Sequence, residues 1–275
     1  QNCNSIAVFA VTVCSVFCKL GELPEWIQLK ETTKGETVDG LQKQTLTFHV
    51  SEAMASRRGD IYLLKDSKLC LTLTIKQQNP NPIMITIPDK KFREALSTEG
   101  WVILGQEDDI QCEVIEKGLK ETVLDLDGTY WSNYGIESIE GIEQFPQIEV
   151  LKLAYNNLTT VDISKLKHVK ELNIESIYPL TSVITGDNPV TSLRLQDYID
   201  AASLTISGNN ITDINAYLSS WMSFYDKLET LDVTGCPKLK TCNVDRQNLK
   251  TLYVTQEQKE NVAFTNQGSL QIVVK

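Results

Sequence analysis

A short line, Leu-x-Leu with Ile or Val allowed at its second apolar place, returns eight times in the second half of this 275-residue chain. It stands at Leu124-Asp-Leu126, Leu151-Lys-Leu153, Leu172-Asn-Ile174, Leu193-Arg-Leu195, Leu204-Thr-Ile206, Leu231-Asp-Val233, Leu252-Tyr-Val254 and Leu270-Gln-Ile272. Successive lines start 27, 21, 21, 11, 27, 21 and 18 residues apart. A pattern with this period builds stacked units that bury a continuous core only by packing on one another. Two units extend further. Leu151 to Leu158 reads L-x-L-x-x-N-x-L, and Leu204 to Ile211 repeats it with Ile substitutions. In each unit the Leu residues of one short strand face inward, and the Asn satisfies backbone groups where the chain turns out. The interval of 11 is too short for a unit, so either the 193 or the 204 run is expected to belong to an inserted hairpin.

The first part of the chain follows a different grammar. Leu46, Phe48 and Val50 alternate with Thr45, Thr47 and His49, and Ile61–Leu64 and Leu69–Ile75 add two short β-rich runs. Gly35, Gly40 and Gly59 punctuate them, which predicts six or seven short strands in an antiparallel arrangement. The change comes at Gln77 to Pro82, QQNPNP, where Pro and Asn favour turns and a boundary. Residues 1–79 hold nine basic and eight acidic side chains, and residues 80–275 hold seventeen and twenty-eight. The first part is thus +1 and the second −11, which disfavours a nucleic-acid partner, since such binding needs excess basic charge.

Ile6 to Cys18 reads IAVFAVTVCSVFC. It lacks the basic start and cleavage site of a signal sequence and is too short to span a membrane. Its β-branched residues favour a strand, so any export signal is expected to have been removed already. Seven Cys in no C-x-x-C arrangement are expected to be free and mostly buried thiols. Two His, His49 and His168, leave little for imidazole chemistry, and no G-x-S-x-G, H-E-x-x-H, G-x-G-x-x-G or P-loop is present. No cofactor is implied.

Leu23-Pro-Glu-Trp26-Ile27, the Leu46–Val50 strand, Arg58-Gly59-Asp60-Ile61, Leu71-Thr-Leu-Thr-Ile75 and the closing Gln77 resemble the BACON family (Bacteroidetes-associated carbohydrate-binding, often N-terminal). The resemblance implies an Ig-like β-sandwich over 1–79, a spacer on envelope proteins that can also bind carbohydrate. Trp26, flanked by Pro24, Ile27 and Leu29, reads as a core plug more readily than as a sugar platform. From residue 83 onward the chain resembles leucine-rich-repeat proteins of Bacteroidetes and, more loosely, the internalins. Ile87-Pro88-Asp89 to Leu96 looks like the helix of an N-terminal cap over 83–121, with Phe92, Ala95 and Leu96 on one face. Gly135-Ile-Glu-Ser-Ile-Glu-Gly-Ile142 looks like the first-repeat signature of the repeats over 122–275. Where relatives can carry a calcium loop, Gly105-Gln-Glu-Asp-Asp-Ile110 lacks the alternate acids and central Gly, so no metal is expected. The expected fold is mainly β with short helices, a sandwich followed by a leucine-rich-repeat solenoid.

Side chains alternate along a strand, so the residue between two buried positions of each line faces out. That register puts Asp125, Lys152, Asn173, Arg194, Asp232 and Tyr253 in one row on the concave surface, beside a row of Asp127, Glu175, Gln196, Thr234 and Thr255. Such rows suit a protein or glycan partner, or are solvated strand faces. Tyr130, Trp131 and Tyr134 form a rival loop site, because Tyr and Trp are enriched among binding hot spots. Three functions stay open. The first is a non-enzymatic binding or scaffold protein, secreted or in a bacterial cell envelope, with no membrane span in this chain and a lipid anchor allowed. The second is a hydrolase with a site in 213–228, near Trp221, Phe224 and Tyr225. The third is a structural stalk. If the repeat register is right, Leu153→Ala costs roughly 2–5 kcal/mol by chemical denaturation. A loss below about 1 kcal/mol would place Leu153 outside the core.

Overall fold

The computed structural model describes residues 7–14, 19–38, 41–51, 55–65, 67–79, 81–106, 109–195, 197–218, 223–266 and 270–275. The protein is mainly β with antiparallel and parallel sheets. Two compact units, Gln1–Ile83 and Met84–Lys275, make up the chain.

In the first unit, β1 (Ala7–Cys14), β2 (Lys19–Leu20), β3 (Ile27–Val38), β4 (Leu41–Val50), β5 (Arg57–Lys65) and β6 (Lys68–Gln77) form two antiparallel sheets, ordered β1-β4-β3 and β2-β5-β6. The apolar start is a strand from Ala7 to Cys14, paired with β4 along its length. Ile27, Leu46 and Phe48 of one sheet meet Ile61 and Leu63 of the other in a shared core. Trp26 packs against that core, with the Arg57 guanidinium 4.4 Å above its ring. Arg57 also donates to Gln77 Oε1 at 2.8 Å. A Cβ at Gly59 would stand 2.7 Å from Pro24 and 2.8 Å from the Trp26 ring. Only glycine fits there, and Trp26 is a partly buried wall beside the core.

The second unit opens with β7 (Ile83–Thr86), α1 (Lys90–Thr98), β8 (Val102–Leu104), β9 (Gln111–Val114) and α2 (Glu116–Lys120). Asp89 starts α1. One carboxylate oxygen accepts the Phe92 N–H at 2.7 Å, satisfying a donor that a helix start leaves free. The other accepts Glu137 N–H at 3.1 Å and Ser138 N–H at 2.9 Å, fastening the helix to the Gly135–Ile142 segment. Phe92, Ala95 and Leu96 are buried, as their spacing requires, and so are Ile136, Ile139 and Ile142.

Beyond α2, short parallel strands stack into two ladders. In the first, Leu124, Leu151 and Leu172 are in register, followed by a second block of Leu193, Ile214, Cys242 and Phe264. In the second, Val161 and Val183 lead to Ile206, and Leu204 leads on to Leu231, Leu252 and Ile272. The 193 and 204 runs are therefore not parts of a hairpin. Both pair in parallel, one in each ladder. The interval of 11 is the step from one ladder to the other inside a single repeat. The third and fourth repeats are joined imperfectly. The strands Glu171–Asn173 and Ser192–Arg194 belong to separate sheets, whereas Ser182–Ile184 and Ser203–Ser207 stay paired; the second ladder shifts register one repeat later, where Ser203–Ser207 meets Thr230–Gly235.

At the strand exits, buried side chains satisfy carbonyls and so tie adjacent repeats together. Asn156 Nδ2 donates to Leu126 O at 2.9 Å and to Leu153 O at 3.0 Å. Asn188 does the same for Ile163 O and Thr185 O, both at 2.8 Å. The Cys236 thiol reaches Ile206 O at 3.4 Å, and Gln258 Nε2 reaches Val233 O and Cys236 O at 2.8 and 2.9 Å. Arg246 serves the first ladder. Its Nη1 donates to Leu195 O and Ala216 O, its Nη2 to Asp197 O and Asp226 Oδ1, and its Nε to Asp226 Oδ2. These five bonds use every guanidinium donor, and the ion pair with Asp226 is fully buried. Arg246→Met should cost about 3–5 kcal/mol, because it leaves a buried carboxylate without its counter-charge. Arg246→Lys should recover little, since an ammonium cannot reproduce the fork. Urea unfolding of both variants checks this, and a wild-type-like midpoint for either would count against the bridge.

Candidate functional site

The six residues expected in one row lie on three sheets, in two ladders. Asp125, Lys152 and Asn173 are in register on adjacent strands of the first ladder, and Arg194 follows in its second block opposite Asn215. Asp232 and Tyr253 face each other on the second ladder. The single row is corrected to two because the Leu-x-Leu lines before and after the step belong to different ladders.

Most of these side chains also have local work. The side-chain oxygens of Asp125, Asn173, Asn215 and Asn243 accept the N–H two residues on, at Asp127, Glu175, Tyr217 and Asp245. Asp162 and Asp232 do so on the second ladder, toward Ser164 and Thr234. Such Asx turns swing the chain out of a strand. Lys152 pairs with Asp125 at 2.6 Å. Lys275 pairs with Asp232 at 2.7 Å and stands 3.6 Å above the Tyr253 ring. Burial pushes the Asp232 carboxyl upward, but the bonds from Lys275 and Thr234 outweigh it and hold its pKa below the usual value. In the neighbouring row, Asp127 accepts from Ala154 N and Asn173 Nδ2, Thr234 donates to Asp232, and Thr255 caps α3 (Gln256–Asn261). Gln196 lies outside the described residues. Many side chains of both rows are thus engaged with neighbouring groups.

A different set of side chains is gathered by the loops that leave the first ladder. Tyr130, Trp131 and Tyr134 follow the strand Val123–Asp125, Tyr155 follows Val150–Lys152, and Tyr178 follows Glu171–Asn173. Tyr198 follows Ser192–Arg194, and Tyr217, Phe224 and Tyr225 follow Asp213–Asn215. Seven of the chain's nine tyrosines stand on this edge, whereas the loops leaving the second ladder carry no aromatic residue. Tyr178 and Tyr198 stack with ring centroids 4.2 Å apart and planes 5° from parallel. Tyr225 continues the contact, 5.4 Å from Tyr198. Tyr130 and Trp131 meet edge to face at 4.8 Å on a turn closed by Thr129 and Ser132. Trp131 is 89% exposed and Phe224 91%, values that a merely structural aromatic seldom reaches.

No protein family, curated protein or solved structure matches this chain.

The loop site foreseen from the sequence divides. Tyr130 and Trp131 are exposed, but Tyr134 packs against the core and its hydroxyl donates to Glu99 Oε1 at 2.7 Å. The acids beside the edge are held in place. Asp197 accepts from Ser176 Oγ at 2.7 Å and from Tyr198 N at 3.0 Å, and Asp200 forms an ion pair with Lys227. The sequence did hold a signal for this edge, an aromatic residue three to six places after the first apolar residue of each first-ladder line, from Leu124 to Ile214.

In the 213–228 segment, Trp221 lies outside the described residues. Asp226 is committed to Arg246, and Asp213 accepts from Thr212 and Thr241, bonds that hold its pKa low. Among the described residues no cluster of three or more His, Cys, Asp or Glu can hold a metal, and no helix is long and apolar enough to cross a membrane. Cys112, Cys236 and Cys242 are buried free thiols, and Cys70 is an exposed free thiol.

Burial, and then the bond to Glu99, push the Tyr134 hydroxyl up to about 12. Burial, and then the charge of Asp197, do the same for Tyr178, to about 12. A phenol that ionises later in the folded state adds stability that is complete below its unfolded pKa of about 10 and is lost as pH rises toward 12. Alkaline titration of tyrosinate absorbance should show a late component that shrinks in Tyr134→Phe and in Tyr178→Phe. Loss of an ordinary component near 10 instead would mean that these rings are solvated.

Proposed function

We propose that this is a non-enzymatic binding protein, secreted or in a bacterial cell envelope, whose aromatic edge recognises a glycan or a protein. The observation that carries this reading is the convergence of aromatic residues on one edge of one ladder, with Trp131 and Phe224 almost fully exposed. Exposed apolar rings lower solubility and stability, so a group of them on a rigid support favours a partner. Two antiparallel sheets on one core, with Trp26, Arg57, Gly59 and Gln77 tied together, support a BACON-like, Ig-like sandwich acting as a spacer. In-register leucines, the Asn156 bridge and the capping helix α1 support a leucine-rich-repeat solenoid like those of Bacteroidetes and the internalins. The envelope or secreted setting follows from those resemblances.

A hydrolase in 213–228 is less well supported, because both carboxylates described there are engaged. A plain stalk gives no reason for the exposed rings. The test is to screen the full chain against a printed panel of oligosaccharides and a panel of purified folded proteins. At least one probe should bind, and Trp131→Ala with Phe224→Ala should weaken it about tenfold or more, as loss of two anchor side chains does, with melting unchanged. Charge reversal at Lys152 and Arg194 should leave binding intact. The opposite pattern would move the site to the strand rows, and turnover of a glycoside or peptide substrate would favour the hydrolase.

A further inference from the structure

We infer that the aromatic edge takes a neutral, extended oligosaccharide laid across successive repeats, an inference that rests on the binding role proposed above. The edge offers two kinds of surface. Tyr130 with Trp131, and Phe224 with Tyr225, present exposed rings, which the C–H faces of pyranose rings can cover. Between them Tyr178 and Tyr198 cover each other's faces, so they present hydroxyl groups and ring edges instead. A chain of sugars, apolar on its faces and rich in hydroxyls at its rim, matches both.

The carboxylates argue for the same class. Asp197 is fixed by Ser176 and by the Tyr198 N–H, yet each of its oxygens keeps a lone pair for a sugar hydroxyl. A tyrosine hydroxyl is protonated at neutral pH even at its ordinary pKa of about 10, so Tyr178 and Tyr198 both carry an O–H. They are therefore available as donors.

Charge separates this ligand from its rivals. The part of the chain that bears the edge has a net charge of −11, which repels sulfated or uronic-acid glycans. A basic peptide is the rival that this charge admits. Asp125 pairs with Lys152 and Asp200 with Lys227, which reduces its foothold, while Asp127 and Asp197 accept from neutral donors and keep their charge. Spacing fits as well. Adjacent strands lie about 4.8 Å apart, close to the advance per residue of an extended pyranose chain, so the groups on neighbouring repeats can meet neighbouring sugars.

The test is affinity electrophoresis of the full chain through gels that contain a soluble β-glucan, a xylan, a mannan or a dextran. Heparin and polygalacturonate serve as polyanion controls, and an oligo-arginine peptide is followed by fluorescence anisotropy at low and high salt. At least one neutral polysaccharide should retard the protein, with little dependence on salt, and the polyanions should not. Phe224→Ala with Trp131→Ala should weaken retardation about tenfold or more. Tyr198→Phe, which keeps the stack and removes the hydroxyl, should weaken it by a smaller factor. Failure of every neutral polysaccharide, or retardation that survives the ring substitutions, overturns the inference. If the oligo-arginine peptide binds through the same rings in a salt-sensitive way, the sugar class is wrong and the binding role stands. If no probe, here or in the protein panel, depends on the rings, both fall.

Discussion

Where a short parallel strand ends, the carbonyl of its last inward residue points into the core with no strand partner, and a buried carbonyl without a hydrogen bond is costly. The second unit meets this need with side chains that reach the carbonyls of another repeat. Asn156, Asn188 and Arg246 each hold carbonyls of two adjacent repeats, and Cys236 and Gln258 reach back to the repeat before their own. Each bridge joins a strand exit to that of a neighbouring repeat, so the stacking of repeats and the satisfaction of their backbone are one event. The strands themselves are only a few residues long, and without these bridges they would have little to fix their spacing.

The aromatic edge is built on the same exits. Asx turns at Asp125, Asn173 and Asn215 swing the chain out of the first ladder, and the loops that follow carry the rings. Arg246 secures this edge from beneath, bonding to Leu195 O and Asp197 O just before Tyr198 and to Asp226 just after Tyr225. A buried ion pair adds little net stability against an apolar replacement, but it has strict geometry. The loops on either side of the Tyr198–Tyr225 contact are thereby tied to one guanidinium.

Legibility from the sequence depended on residue type. Leu151 to Leu158 could be read because leucines marked the inward positions and Asn156 the bridge. Val161-Asp-Ile163, Val183-Ile-Thr185, Ile214-Asn-Ala216 and Cys242-Asn-Val244 occupy equivalent places without a leading leucine. The reading therefore followed one ladder up to Leu193 and the other from Leu204, and this mixed two surfaces into one row. Asn209 shows the converse. It fills the expected Asn place yet is exposed, and it bonds to Asp187 instead of to the inward carbonyls. Arg246 and Gln258 bridge from other offsets, which no fixed spacing reveals. Trp26, expected as a core plug, packs against the core while staying partly exposed. The aromatic edge escaped because its residues recur at variable distances from the lines, and only three-dimensional stacking aligns them.

The imperfect join between the third and fourth repeats has a mechanical consequence. Backbone pairing of the first ladder is interrupted there, and nearby the buried Thr185 hydroxyl has no hydrogen-bond partner among the described residues. Cooperative units of local unfolding tend to part at such weak joins. Across this one lie the Tyr178–Tyr198 stack, the Ser176–Asp197 bond and the bond from Asp200 N to Tyr178 O. A molecule resting on those two rings would act as a splint. Its grip would slow the amide exchange of repeats on both sides, including amides it never touches.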